Sequence, residues 1–185
     1  MDRTPVPEAK LVDTDVGKKP EGEGWFVVNV GDAVAMGVDD DVYGMIFEGQ
    51  FGGFKQFGIN VRVLAPGKPA AMYHAESGQE AFLVLHGEAV LIVENEERPL
   101  KQWDFVHCPP NTAHVIVGAG DGPSVILMVG ARGTPDRQLV FPKSEAAAKY
   151  NASAKEDTSD RAVAYADWPP LRPGRFPWPP EGVSG

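Results

Sequence analysis

From Gly24 onward the chain alternates short apolar runs with clusters of Gly, Asp and other polar residues. GWFVVNV (24–30), MIFEG (45–49), FKQFGINVRVL (54–64), AFLVL (81–85), EAVLIV (88–93), WDFVHC (103–108), AHVIVG (113–118) and SVILMVG (124–130) have the length and the β-branched or aromatic content of strands. Their recurrence predicts an all-β sandwich or barrel. Only His86-Gly87 separates AFLVL from EAVLIV, which predicts a hairpin, and the Asp121-Gly122 turn signal predicts a second between AHVIVG and SVILMVG. Several strands are apolar on both faces. The outer side of the sheet therefore needs a cover, whether a second sheet, a tail or another subunit.

The ends read differently. Residues 1–23 are polar and punctuated by Pro, Lys and Glu, an arm expected to be disordered or borrowed by a neighbour. Residues 24–142 carry the barrel. In the extension, 143–185, SEAAAKYNASAKE has an N-cap residue at Ser144 followed by strong helix formers, and SDRAVAYAD suggests a second short helix. The final WPPLRPGRFPWPPEGVSG is too Pro-rich for helix and is expected to run extended. Trp168, Phe176 and Trp178 would be wasted in free solvent, which predicts that this tail packs on the body or on a partner subunit.

Composition narrows the function classes. The 17 prolines and 21 glycines fit short strands and tight turns better than a helical bundle. A net charge of −9 argues against a broad nucleic-acid footprint, which needs clustered positive charge. With Cys108 alone no internal disulfide can form, so the fold rests on apolar burial and on whatever a metal adds. Neither a secretion signal nor a membrane-spanning run is legible, and the expected compartment is the cytoplasm. Asn151-Ala-Ser153 then matches a glycosylation pattern by chance. Asp39-Asp40-Asp41 lacks calcium-loop spacing, and GQFGGF and APGKP lack the ending of a phosphate loop.

The chemistry concentrates in PGKPAAMYHAESGQEAFLVLHGEAVL and WDFVHCPPNTAHVIVGAG. His74 and Glu76, two apart, project from one face of a strand. Ser77-Gly78-Gln79 reads as a turn that returns Glu80 to the same place, and His114 opens a strand after a Pro-Pro-Asn-Thr turn. Two carboxylates turned into an apolar barrel cost several kcal/mol each unless paired or coordinated, and a divalent cation removes that cost. The candidate ligands are His74, Glu76, Glu80 and His114. Two imidazoles with carboxylates suit zinc, iron, manganese or nickel, and the set is too oxygen-rich for a closed structural zinc site. His107 and His86 read as structural, and Cys108 as a small buried apolar residue with no base placed beside it.

These two stretches resemble the paired motifs of the cupin superfamily. In the first, Glu80 and Gly87 keep the family spacing, while Gly67 lies one residue too far from His74 and Glu76 replaces the second histidine. In the second, Asp104, Pro109 and His114 match, Asn111 stands where Gly is usual, and Trp103 and Gly118 replace Gly and Asn. The motif core spans residues 67–118. The resemblance implies a jelly-roll β-barrel, commonly a homodimer, with metal ligands at His74, Glu80 and His114. It leaves Glu76 as a further ligand or as a catalytic base. Phe82, Val84, Met72, Val106 and Val115 are candidate pocket walls. The expected function is a metal-dependent oxygenase or isomerase acting on a small oxygen-rich metabolite. The alternative is a non-catalytic sensor module that binds such a ligand without turnover, since fold alone does not set function.

Overall fold

A computed structural model describes residues 4–48, 53–133 and 138–183. Parts of the GQFGGF and ARGTPDR runs, and the last residue of MIFEG, lie outside the described residues. The chain forms strands β1 (Lys10–Thr14), β2 (Gly17–Glu21), β3 (Val34–Asp39), β4 (Val42–Ile46), β5 (Phe57–Leu64), β6 (Ala75–Glu76), β7 (Glu80–His86), β8 (Glu88–Val93), β9 (Glu96–Lys101), β10 (Phe105–Cys108), β11 (His114–Ala119), β12 (Ser124–Ala131), β13 (Leu139–Val140) and β14 (Arg172–Gly174), with helices α1 (Glu145–Ala148) and α2 (Arg161–Ala164). A seven-stranded antiparallel sheet runs in the order β10-β7-β12-β5-β4-β3-β14 and a three-stranded one β11-β8-β9. The two enclose a core of Leu64, Phe82, Val84, Leu91, Ile116 and Ile126. This is the expected jelly-roll barrel.

Neither hairpin expected from the short connections forms. Strand β7 pairs with β10 and β12, while β8 pairs with β11 and β9, and β12 pairs with β5 and β7. His86-Gly87 is a corner at which the chain leaves one sheet for the other. Gly87 takes φ 74°, and a Cβ there would lie 2.6 Å from the Pro123 carbonyl oxygen, so the two corners pack backbone against backbone. Strands buried on both faces do better in two facing sheets than side by side in one. A true hairpin occurs at β8–β9, where Glu94 and Asn95 both have positive φ, as a two-residue turn matched to strand twist requires.

Other expectations are corrected in detail. The arm is ordered: β1 and β2 form a hairpin over residues 10–21. GWFVVNV is not a strand; it leads to a 3-10 helix over Val30–Asp32, capped by the Asn29 side chain accepting from Gly31 N. Strand β9 has too few apolar residues to be read as a strand, and β3 carries little strand-forming content beyond its valines. Ser144 does cap α1, accepting from Ala147 N at 3.0 Å, but the helix is a single turn. Asn151 at φ 56° stops it, with Ala152 N donating to Ala147 O at 3.0 Å and Asn151 N to Ala148 O at 3.1 Å, the paired bonds of a left-handed helix stop.

The extension supplies the cover that the doubly apolar strands need. Ala146, Ala147 and Ala152 pack on Ile92, Val115 and Val117 behind the small sheet. The Pro-rich tail lies behind the large one, together with Val28 and Val30: Phe176 stacks on Tyr43 at a centroid distance of 4.9 Å, the Tyr43 hydroxyl donates to Pro177 O at 2.7 Å, and Trp178 lies against Gly31. Gly37 leaves the space, since a Cβ there would meet the Phe176 ring at 2.7 Å. The tail is thus a structural layer. Truncating its anchor, Phe176→Ala, is expected to lower stability by about 2 kcal/mol in urea denaturation; an unchanged midpoint would mean that the tail merely rests on the sheet.

Candidate metal centre

His74 and His114 come together through their backbones. His74 N donates to His114 O at 3.1 Å and His114 N to His74 O at 2.8 Å, a reciprocal antiparallel pair whose side chains leave on the same side. Asn111 makes the approach possible. It holds φ 66°, the left-handed conformation that Gly usually supplies at this motif position and that Asn tolerates, and its N–H donates to Glu76 O at 2.7 Å. Trp103 likewise keeps a positive φ of 74° where the family often has Gly.

Both imidazoles are oriented from behind. His74 Nδ1 is 2.7 Å from Met72 O and His114 Nδ1 is 2.9 Å from Thr112 O. A carbonyl only accepts, so each Nδ1 carries a hydrogen and each Nε2 is the ring nitrogen that faces forward. Glu80 closes the group: its Oε2 is 3.1 Å from His114 Nε2 and 3.8 Å from His74 Nε2. Gly130 pairs with Glu80 in the sheet register. One ligand atom each from His74, Glu80 and His114 lies within 4.8 Å of the others. Glu76 is buried at 5% exposure beside this trio, its Oε1 3.9 Å from His74 Nε2.

The donors fit a divalent cation. Glu80 Oε2 is buried and no aligned hydrogen bond reaches it, so a charged acceptor is held among lone pairs where a cation would satisfy them together. Burial pushes the Glu80 carboxyl up, but His114, His74 and Glu76 outweigh it and hold its pKa below the ordinary value. At His114 burial disfavours the imidazolium, yet Cys108 and Glu80 beside it prevail and raise the pKa to about 10. In the metal-free protein a proton therefore sits where the ion would bind. Cys108 is buried as expected, but it stands against His114, which corrects the reading that no base lies beside it.

The cavity in front of these residues has a volume of about 230 Å³. Phe82 and Val115 line it as anticipated; Met72, Val84 and Val106 do not, being turned into the apolar packing. Alternate residues of β5, namely Gly58, Asn60 and Arg62, with Met128 and Gly130 of β12 and Arg132 just after it, form walls outside the two motif stretches. The signal was present in GINVR, whose alternation sets small and polar residues on one face of a strand and aliphatic ones on the other. Phe141 and the C-terminal extension form an aromatic seal: Phe141 lies 6.2 Å from His74 and 5.7 Å from Tyr165 by ring centroids, and Tyr165 contacts Trp168 at 5.6 Å.

The antiparallel barrel carries an inward His-Glu-His trio of the kind that can hold a metal ion. Residues 60–130 match the family described as the cupin domain. That match, together with the two-sheet barrel, supports a cupin-type conserved barrel. It is similar to a sugar phosphate isomerase of the cupin superfamily from Silicibacter pomeroyi, at 30% identity and TM-score 0.48, over 55% of this chain and 66% of that one. The polyketide cyclase RemF from Streptomyces resistomycificus shares the fold at 14% identity and TM-score 0.54, over 69% of this chain and 97% of that one. An uncharacterised protein of Methanocaldococcus jannaschii is 26% identical over 65 residues, a match spanning 35% of this chain and about half, 52%, of that protein. Among the described residues no helix is long and apolar enough to cross a membrane.

Because the ion must displace the His114 proton, metal affinity should rise with pH up to about 10, close to tenfold per unit for one proton. Calorimetric titration of metal-free protein with Mn(II) at pH 8, in buffers of different ionisation enthalpy, should report about one proton released. Heats independent of the buffer would show that His114 is not a ligand.

Proposed function

We propose that this protein is a metal-dependent enzyme acting on a small oxygen-rich metabolite, with His74, Glu80 and His114 as metal ligands and Glu76 as the group that moves a proton. The observation that carries the reading is the pairing of a three-residue donor set with a second buried carboxylate at its edge. A divalent cation held there supplies Lewis-acid polarisation of ligand oxygens and, if redox-active, dioxygen chemistry.

The residues divide the remaining tasks. His74 and His114, fixed through Nδ1, present Nε2 without rotating away. Phe82, whose ring lies 5.2 Å from that of His114, and Ile116 exclude water from one side. Glu76 Oε1, 3.9 Å from His74 Nε2 at the edge of the donor set, would accept a proton from a ligand C–H or O–H held in the cavity and return it to a neighbouring carbon. That sequence is an isomerisation. Zinc, manganese or nickel would each supply the Lewis acid for it. Iron would favour the oxygenase reading, which is supported by the two-histidine, one-carboxylate set. A non-catalytic sensor would use the same cavity without the proton step. Self-association belongs to the proposal too, because edge strand β10 leaves Phe105 66% exposed beside the equally exposed Trp103. The single buried Cys108 suits the reducing cytoplasm.

Metal-loaded protein incubated in D2O with a panel of small hydroxy acids, hydroxy ketones and sugar phosphates separates these readings. Isomerisation gives deuterium at carbon by NMR, whereas oxygenation gives oxygen uptake at an electrode. In the Glu76→Gln variant metal content should be unchanged and exchange should fall by about 10²-fold or more. Loss of the metal would instead make Glu76 a fourth ligand, and the absence of exchange, uptake and turnover across the panel would favour the sensor.

A further inference from the structure

The cavity holds one charge that the proposed proton chemistry leaves unused. Two arginines line it. Arg132 forms an ion pair with buried Glu48 and donates to Phe54 O at 3.3 Å, so its charge is compensated. Arg62 forms no ion pair with any carboxylate among the described residues. Burial lowers the Arg62 pKa, opposed only in part by Tyr165, whose hydroxyl already accepts from Met72 N at 3.2 Å.

The sheet is shaped to hold this side chain. On β4 the residue opposite Arg62 is Gly44, and a Cβ there would meet Arg62 Cδ at 2.8 Å and Nε at 3.0 Å. Strand β4 thus gives up a side chain so that the arginine stem can lie across it. Glu76 and Glu80 together balance a divalent ion, which leaves the Arg62 guanidinium as the uncompensated charge of the pocket. A desolvated guanidinium is costly without an anion, and its planar fork matches the oxygens of a carboxylate or phosphate. Two residues away on the same face, Asn60 Oδ1 is buried with no hydrogen-bond partner and calls for a donor such as a ligand hydroxyl.

We infer that Arg62 and Asn60 form an oxyanion subsite of the metal pocket, taking the carboxylate or phosphate group and an adjacent hydroxyl of a small ligand whose other oxygens face His74, Glu80 and His114. This rests on the reading of the cavity as a metal-assisted ligand site. A volume of about 230 Å³ is below the usual range for drug-sized ligands and restricts the occupant to a small metabolite.

Calorimetric titration of the Mn(II)-loaded protein with glycerol, glycerate and glycerol 3-phosphate tests it. At least one anion should bind tenfold or more tightly than glycerol, and the tighter of the two identifies the carboxylate or the phosphate as the group recognised. In Arg62→Gln that preference should fall to about twofold with metal content unchanged; Arg62→Lys should restore part of it, and Asn60→Leu should weaken the preferred anion several-fold. Equal binding of all three probes by the wild type, or an anion preference undiminished in both Arg62→Gln and Asn60→Leu, would overturn the assignment. Should Arg62→Gln fail to fold, Asn60→Leu alone decides. The same titrations on metal-stripped protein keep the two claims apart: an anion preference that persists without metal contradicts only the metal's part, and metal-dependent glycerol binding without anion preference contradicts only the subsite.

Discussion

A buried carboxylate facing two imidazole lone pairs is the constraint around which this barrel is organised. Glu80 Oε2 is buried, and the histidines that face it are held at Nδ1 by backbone carbonyls so that Nε2 points at the carboxylate. Such an arrangement is unfavourable on its own. A proton on His114 relieves it in the metal-free protein, and a divalent cation relieves it more completely by satisfying all three donors together. Two features that look unrelated serve this arrangement: the reciprocal backbone pair of His74 and His114, and the left-handed Asn111.

The same logic explains the outer layers. Using the inside of the barrel for polar chemistry removes part of the apolar core that a chain of this size would otherwise rely on. The loss is offset outside, where the helical segment covers the small sheet and the Pro-rich tail covers the large one. Residues after 142 are therefore part of the barrel's stability, and Tyr165 and Trp168 join Phe141 in the wall behind the site. Arg62 draws on both roles, with its stem on the sheet and its charge between the cavity and Tyr165.

Strands with dense β-branched content, such as β5, β7, β8, β11 and β12, were legible because their periodicity is local. Their partners were not. The two-residue link at His86-Gly87 looks like a hairpin in one dimension, and only the packing of its corner against Pro123 makes it a crossing between sheets. Strand β9 and the arm hairpin were invisible because both are mostly polar and depend on neighbours for register. At the site, His74, Glu80 and His114 could be found from spacing because motif and geometry coincide. Arg62 and Asn60 could not, since what marks them is the absence of a carboxylate and of a hydrogen-bond donor around them in three dimensions.

The central claim is that the trio holds a metal, and elemental analysis of protein purified without an affinity metal tests it most directly. The account predicts close to one equivalent of a single divalent transition metal per chain, lost together in His74→Ala and His114→Ala variants that remain folded. Wild-type protein with no stoichiometric metal, which also fails to take up Zn(II), Mn(II), Fe(II) or Ni(II) on reconstitution, would contradict it.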